Sequence, residues 1–138
     1  MKKTNNLLFP CIFLFLMAMS LCSCNKKSIN GDLDGRWQIM EIELNGETVN
    51  KKDDQLYYNF YLHVCNLSMY GKFFTDGNME YDGKTLWLQF PYANAEWSIE
   101  LLKAYGIYTN PVTFTVEYID RHKLILKEGD EIITLRKF

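Results

Sequence analysis

The stretch "PVTFTVEYIDRHKLILKEGDEIITLRKF", Pro111–Phe138, decides the fold class. Val112, Phe114, Val116 and Tyr118 alternate with Thr113, Thr115 and Glu117, the period of a half-buried strand. Asp120-Arg121-His122 makes a tight turn into "KLILK", and Glu128-Gly129-Asp130 turns again into "EIITLRKF". Three short strands joined by Gly- and Asp-bearing turns describe an antiparallel meander.

Working back from Pro111, Asn94 and Gly106 bracket one helical stretch, Asn as N-cap and Gly as C-terminal stop. Trp97, Leu101, Ala104 and Tyr105 form the expected docking stripe, with Ser98, Glu100 and Lys103 on the wet side. A helix of about three turns is not stable alone, so it must dock on the mouth or side of the sheet. Ahead of it, "TLWLQF" places Leu86, Leu88 and Phe90 on one face and Trp87 on the other, and Pro91 ends the run. Asp76-Gly77 and Asp82-Gly83 both read as turns, and Asn45-Gly46 as a hairpin turn. "LYYNFYLHV" alternates Leu56, Tyr58, Phe60, Leu62 and Val64 against Tyr57, Asn59, Tyr61 and His63. The apolar parity then shifts to Cys65, Leu67 and Met69, which a bulge or a strand break would explain. The sum is an all-β domain over residues 35–138: a small antiparallel meander barrel of seven or eight strands, with one short helix before the last three. Closure matters because an open sheet this long exposes bare edges.

The N-terminus carries a different message. Lys2 and Lys3 precede Leu7–Cys22, which holds no charge. That run is shorter than the about 20 residues a spanning helix needs and is interrupted by Pro10. A basic start, a short apolar run and small residues describe a secretory signal over residues 1–23. "LCSC", Leu21–Cys24, resembles the lipobox of bacterial lipoproteins: an aliphatic residue, two small residues, then cysteine. The resemblance implies cleavage before Cys24 and acylation (palmitate-type chains) of Cys24. One acyl chain anchors marginally and two or three anchor firmly. Residues 24–34 then read as a flexible tether, and Asn25 after the lipidated cysteine resembles the outer-membrane sorting pattern, facing the periplasm. Cys11 and Cys22 leave with the signal, so Cys65 remains as a single thiol and the fold must hold without an internal disulfide.

Charge excludes one class of partner. The chain has 15 Lys and Arg against 17 Asp and Glu, and loses Lys2 and Lys3 with the signal. A nucleic-acid binder needs a basic footprint, so nucleic acid is not expected.

Two family resemblances touch the chain from Leu33 onward. "GRW", Gly35-Arg36-Trp37, with Arg136 in the last strand, resembles the lipocalin pattern of Gly-x-Trp near the start and a basic residue near the end. It implies that Gly35 and Trp37 close one end of the barrel and that Arg136 packs across the indole, a cation–π contact. "CNLSMYGKF", Cys65–Phe73, resembles the META-domain stretch of heat-inducible envelope lipoproteins. Both resemblances imply non-enzymatic proteins.

The chemistry-bearing residues agree. His63 and Cys65 are spaced to share a strand face, where a His could lower a thiol pKa, but the simpler reading is a half-buried His beside a small apolar Cys. As metal ligands they need at least one more partner, and no metal or cofactor is expected. No strained nucleophile turn or phosphate-cradling glycine loop is seen. Aromatic residues make up 15% of the chain. A small barrel can be filled by its own side chains, and a narrow or filled interior is favoured over a sizeable cavity. The expected function is a membrane-anchored lipoprotein binding a small hydrophobic ligand through Tyr58, Phe60, Leu88, Phe114 and Trp87. The alternative is a META-like envelope protein with a filled core, acting by contact with another envelope protein.

Overall fold

The computed structural model describes residues 28–138. The signal, Cys24 and the first half of the tether lie outside them.

Nine strands form one antiparallel sheet: β1 (Gly35–Leu44), β2 (Glu47–Asn50), β3 (Leu56–Tyr61), β4 (Val64–Met69), β5 (Lys72–Tyr81), β6 (Thr85–Gln89), β7 (Val112–Ile119), β8 (Lys123–Glu128) and β9 (Glu131–Lys137). Neighbours in space follow chain order from β3 to β9, and β1 pairs with both β3 and β9. Eight strands therefore close into a barrel. β2 stands apart from the ring as a hairpin partner for the far half of β1, Glu41–Leu44. One helix, α1 (Glu96–Ala104), lies between β6 and β7, ahead of the last three strands.

Alternation fills the interior. Trp37, Tyr58, Phe60, Phe90 and Phe114 are all wholly or almost wholly buried, with Leu67, Leu86, Leu88, Leu124, Leu126, Ile133 and Leu135 between them. Bulges adjust the register at three places. Met40 is the extra residue of β1 against β9, Phe74 of β5 against β4, and Glu117 of β7 against β8. Such insertions bend a strand and increase its twist, which a small closed barrel needs.

The structure revises three expectations about turns and faces. Asp76-Gly77 is not a turn but lies inside β5. A Cβ at residue 77 would stand 2.6 Å from the Phe90 ring and 2.8 Å from the Gln89 carbonyl, so the glycine is there for close packing, as glycines inside strands often are. The true turns on either side of β4 are Leu62-His63 and Tyr70-Gly71. The first explains the parity shift: Tyr61 pairs with Val64, so the strand reverses two residues before the shift shows in the sequence. Leu62 sits there at φ 54°, a backbone region that favours Gly or Asn. The helix, third, docks through Leu101, Ala104 and Tyr105 as expected, but Ser98 and Leu102 join them and Trp97 does not. Ser98 and Leu102 are buried while Trp97 is 68% exposed. The N-cap is Ala95, one residue later than Asn94. Ser98 can turn inward because its hydroxyl donates to the Ala95 carbonyl at 2.6 Å.

At one end the barrel is sealed. A 3-10 turn, Gly31–Leu33, places Leu33 fully buried beneath Trp37, whose indole Nε1 donates to the Leu33 carbonyl at 2.7 Å. Residues 31–34, expected as tether, thus belong to the fold. Lys137, not Arg136, covers the indole: its Nζ lies 4.9 Å from the Trp37 ring centre and donates to the Asp32 carbonyl at 2.8 Å. The reason is parity. Trp37 and Lys137 are cross-strand partners, as are Gln38 and Arg136, so Arg136 faces outward and bonds Gln38 Oε1 at 3.2 Å. Gly35 leaves room for this lid, since a Cβ there would meet Lys137 Cε at 2.7 Å.

Candidate functional site at the covered mouth of the barrel

The opposite end of the barrel is crossed by the segment carrying α1. Its two roots are held together by Asn110, whose side chain accepts from Phe90 N–H and donates to the Phe90 carbonyl, both at 2.9 Å. The helix ends in a Schellman arrangement: Gly106 N–H bonds the Lys103 carbonyl and Ile107 N–H the Leu102 carbonyl, with Gly106 at φ 78° and Ile107 buried near Leu102 as the motif requires. This stop drops Tyr105 into the barrel, where it is wholly buried. Tyr58 donates to the Tyr105 carbonyl at 2.7 Å. The Tyr105 ring meets Tyr58 edge-on at 6.0 Å and stacks on Phe74, also at 6.0 Å. The Phe74 bulge turns that ring toward the cover.

Beneath the cover lies a charged residue that alternation carries inward. Glu131 shares the parity of Ile133 and Leu135 and is 2% exposed. Neither carboxyl oxygen has a hydrogen-bond partner, and the Tyr105 hydroxyl is also buried and unpartnered. Gly106 passes directly over Glu131: a Cβ there would lie 3.0 Å from Glu131 Oε1 and 2.5 Å from Ile133 Cδ1. Burial, aided by Glu128, pushes the Glu131 carboxyl up to about 7. Burial also raises the phenols of Tyr58 and Tyr105. Buried polar atoms are nearly always hydrogen-bonded, so the unpartnered Glu131 carboxyl is a point where the interior can accept one more polar partner.

Beside Leu44, outside the buried Glu131, opens a cleft of about 510 Å³, walled by Ile42, Leu44 and Val49 and rimmed by Asn45, Glu47, Lys51, Lys103 and Tyr108. Leu44 is the cross-strand partner of Glu131. The Tyr108 phenol is raised by burial and by Glu131, and lowered in part by Lys51 and Lys103, which places those three ionisable groups within electrostatic reach of it. Each lysine also has an acidic neighbour, Lys51 with Asp54 at 3.1 Å and Lys103 with Glu100 at 2.6 Å. The cleft therefore offers an apolar wall and a mixed rim of two lysines, a phenol and the Glu47 carboxylate. Its volume lies in the about 300–1,000 Å³ range of small-molecule sites.

Of the residues read as ligand-binding, Tyr58, Phe60, Leu88 and Phe114 point into the barrel and are packed among core side chains. Trp87 lies outside, half-buried, in a separate groove with Ile29, His63 and Tyr81. The structure does not bring these five together at one surface. Glu131 and Tyr108 carry no role in the sequence reading, and Tyr105 and Gly106 enter it only as helix-docking and helix-stop residues, although the alternation of "EIITL" already puts Glu131 on the apolar face. His63 is exposed in its turn while Cys65 is buried inside. Burial, then Asp76, holds the thiol well above its ordinary value, opposite to what a thiolate nucleophile needs. Among the described residues no three His, Cys, Asp or Glu side chains gather as a metal site.

The closed eight-strand barrel, its Trp-sealed end and its helix-covered mouth accord with the sequence comparison, in which the lipocalin-like domain matches residues 18–138. The chain belongs to the lipocalin-like family. Lipocalin-like domains are typically non-enzymatic, and their barrel is of the ligand-binding type. A lipocalin-like protein from Bacteroides uniformis has a similar fold, with a TM-score of 0.67, 22% identity, and coverage of 78% of this chain and 100% of that one. An uncharacterised protein from Bacteroides eggerthii also superposes, with a TM-score of 0.61, 17% identity, and coverage of 76% and 98%. No curated protein matches. The lipocalin-like match spans Cys65–Phe73, the stretch that resembles META-domain proteins.

Proposed function

We propose that this lipocalin-like protein is a non-enzymatic, lipid-anchored binding protein of the bacterial envelope that holds a small, mainly apolar molecule in the cleft at its covered mouth. The observation that carries this reading is the apolar cleft wall of Ile42, Leu44 and Val49, in which Leu44 is the cross-strand neighbour of Glu131 with its unpartnered carboxyl. An apolar body lies along the wall while a polar end meets Glu131 or the lysine rim. The barrel axis is occupied by its own side chains, so the ligand sits at the mouth and not along the length. Anchoring through Cys24 rests on the lipobox-like "LCSC", and Asn25 favours the periplasmic face of the outer membrane. The test is native mass spectrometry of the full-length processed protein released from detergent. The expected result is a co-purified small molecule that is lost in Val49→Asp, which puts a charge on the exposed cleft wall. A wild-type spectrum free of adducts overturns the reading.

A second reading has its own observation. Phe73, Tyr92 and Trp97 are all more than half exposed and border one groove beside α1. Exposed aromatic groups of this kind suit a protein contact, so a filled barrel acting on an envelope partner would lose its crosslinks in Trp97→Ala.

A further inference from the structure

Strand parity gathers the β3–β4, β5–β6 and β7–β8 turns, the start of β1 and the end of β9 at the Trp37 end. Ser28, the first described residue, lies at the same end. Asn30 Nδ2 donates to the Leu62 carbonyl at 2.8 Å, and Ile29 lies in a groove with His63, Tyr81 and Asp82. Only Asn25–Lys27 separate Cys24 from Ser28, a reach of at most roughly 15 Å when extended. Resting on the reading of Cys24 as the lipidated residue, that distance keeps the Trp37 end within roughly 15 Å of the bilayer surface.

What this end presents suits such a position. Tyr61, Leu62 and Val64 project from the β3–β4 turn at 69%, 45% and 43% exposure, and Ile29, Tyr118 and Phe138 are exposed as well. Leu62 occupies a left-handed turn position that the β1–β2 hairpin fills with Asn45-Gly46. Gln55 and Tyr70 take the same backbone region at the opposite end, so it is the exposed apolar side chain of Leu62 that bears on this face. Lys84, Arg121 and Lys123 stand in the other two turns, all exposed. Asp82 and Asp120 are tied to those turns, each accepting two backbone N–H bonds. Asp32 and Asp34 lie at the same end, so net charge is not the attraction; the apolar tips are. Tyrosine and leucine at a headgroup boundary bury an apolar body and leave the polar tip wet.

We infer that the Trp37 end of the barrel is a membrane-contacting face, with Tyr61, Leu62 and Val64 entering the headgroup region of the bilayer that holds the Cys24 lipid. The covered mouth then points away from the membrane. The test uses the full chain, processed in a bacterial host and reconstituted into vesicles of phosphatidylethanolamine and phosphatidylglycerol. Leu62→Cys and, at the opposite end, Tyr92→Cys each carry a fluorescent label; native Cys65 is buried and stays unlabelled. Expected is a several-fold loss of emission at residue 62 with spin-labelled lipids but not with aqueous iodide, and the reverse at residue 92. Intact mass on the same samples reports the acyl chains on Cys24. If the lipid is present and residue 62 responds only to iodide, the contact face is overturned while anchoring stands. If the mass shows no lipid, anchoring falls; quenching of residue 62 by lipid would still uphold the face, and its absence would overturn it too.

Discussion

The Trp37 indole donates to the Leu33 carbonyl inside the sealed end of the barrel, at 2.7 Å, and both residues are wholly buried. A short turn ahead of the first strand thus acts as a stopper held by the first strand's own side chain. Trp37→Phe keeps most of the volume but orphans the carbonyl, a cost of about 1–3 kcal/mol. Leu33→Ala removes the stopper's bulk and costs about 2–5 kcal/mol. Urea unfolding of the two variants measures both, with Leu33→Ala the more damaging.

Glu131 makes stability depend on pH. Its folded pKa, about 7, lies above the ordinary 4.5, so the folded state holds the proton more tightly than the unfolded chain. That contribution is fully present below about 4.5 and is lost as pH rises through 7, amounting to about 3 kcal/mol at most. Glu131→Gln flattens this segment of the stability–pH curve and is the more stable protein at pH 8. Denaturation midpoints from pH 4 to 8 give the comparison.

Asn110 clasps both ends of the cover. Asn110→Ala deletes two buried-side hydrogen bonds to Phe90 and costs about 1–3 kcal/mol. Hydrogen exchange shows where: amides of Glu96–Ala104 lose protection first, while those of β8 and β9 keep theirs, the pattern of a local opening.

The observed face of α1 predicts unequal effects of truncation. Leu102→Ala costs about 2–5 kcal/mol. Trp97→Ala removes a larger side chain that is mostly in water and touches Phe74 at 6.3 Å between ring centres. It shifts stability by about 1 kcal/mol or less. Thermal melts of the two variants rank them.

Gly77→Ala is expected to destabilise by about 1–3 kcal/mol through overpacking, because the new methyl meets the Phe90 ring and the Gln89 carbonyl. Gly83→Ala, whose Cβ would have open space but whose φ is 94°, probes backbone strain alone. Calorimetry on both separates crowding from conformation.

Alternation was enough to find the strands, because a closed barrel with one buried face writes its period of two directly into the chain. The Asn45-Gly46, Asp82-Gly83 and Gly129-Asp130 turns carried their own chemistry. Leu62-His63 did not, since nothing in those two side chains announces a reversal, and Asp76-Gly77 announced one that close packing against Phe90 explains instead. Leu101, Ala104 and Tyr105 pack as their helical spacing predicts, whereas Trp97 stays in water and Ser98 turns inward by bonding the Ala95 carbonyl. Lys137 rather than Arg136 over Trp37 follows from a register that depends on the Met40 bulge, which no local pattern reveals. Glu131 lay on the apolar face of β9 all along; its significance appears only when Gly106 is seen to cross above it.

The first barrel strand closes against the last. Gln38 and Arg136 bond across 98 positions of sequence, and the same seam sets Lys137 over Trp37. Such high contact order delays folding until the chain is complete. A polypeptide made from its N-terminus therefore cannot shut this barrel early: the Lys137 cover over its aromatic plug is missing until β9 has been synthesised.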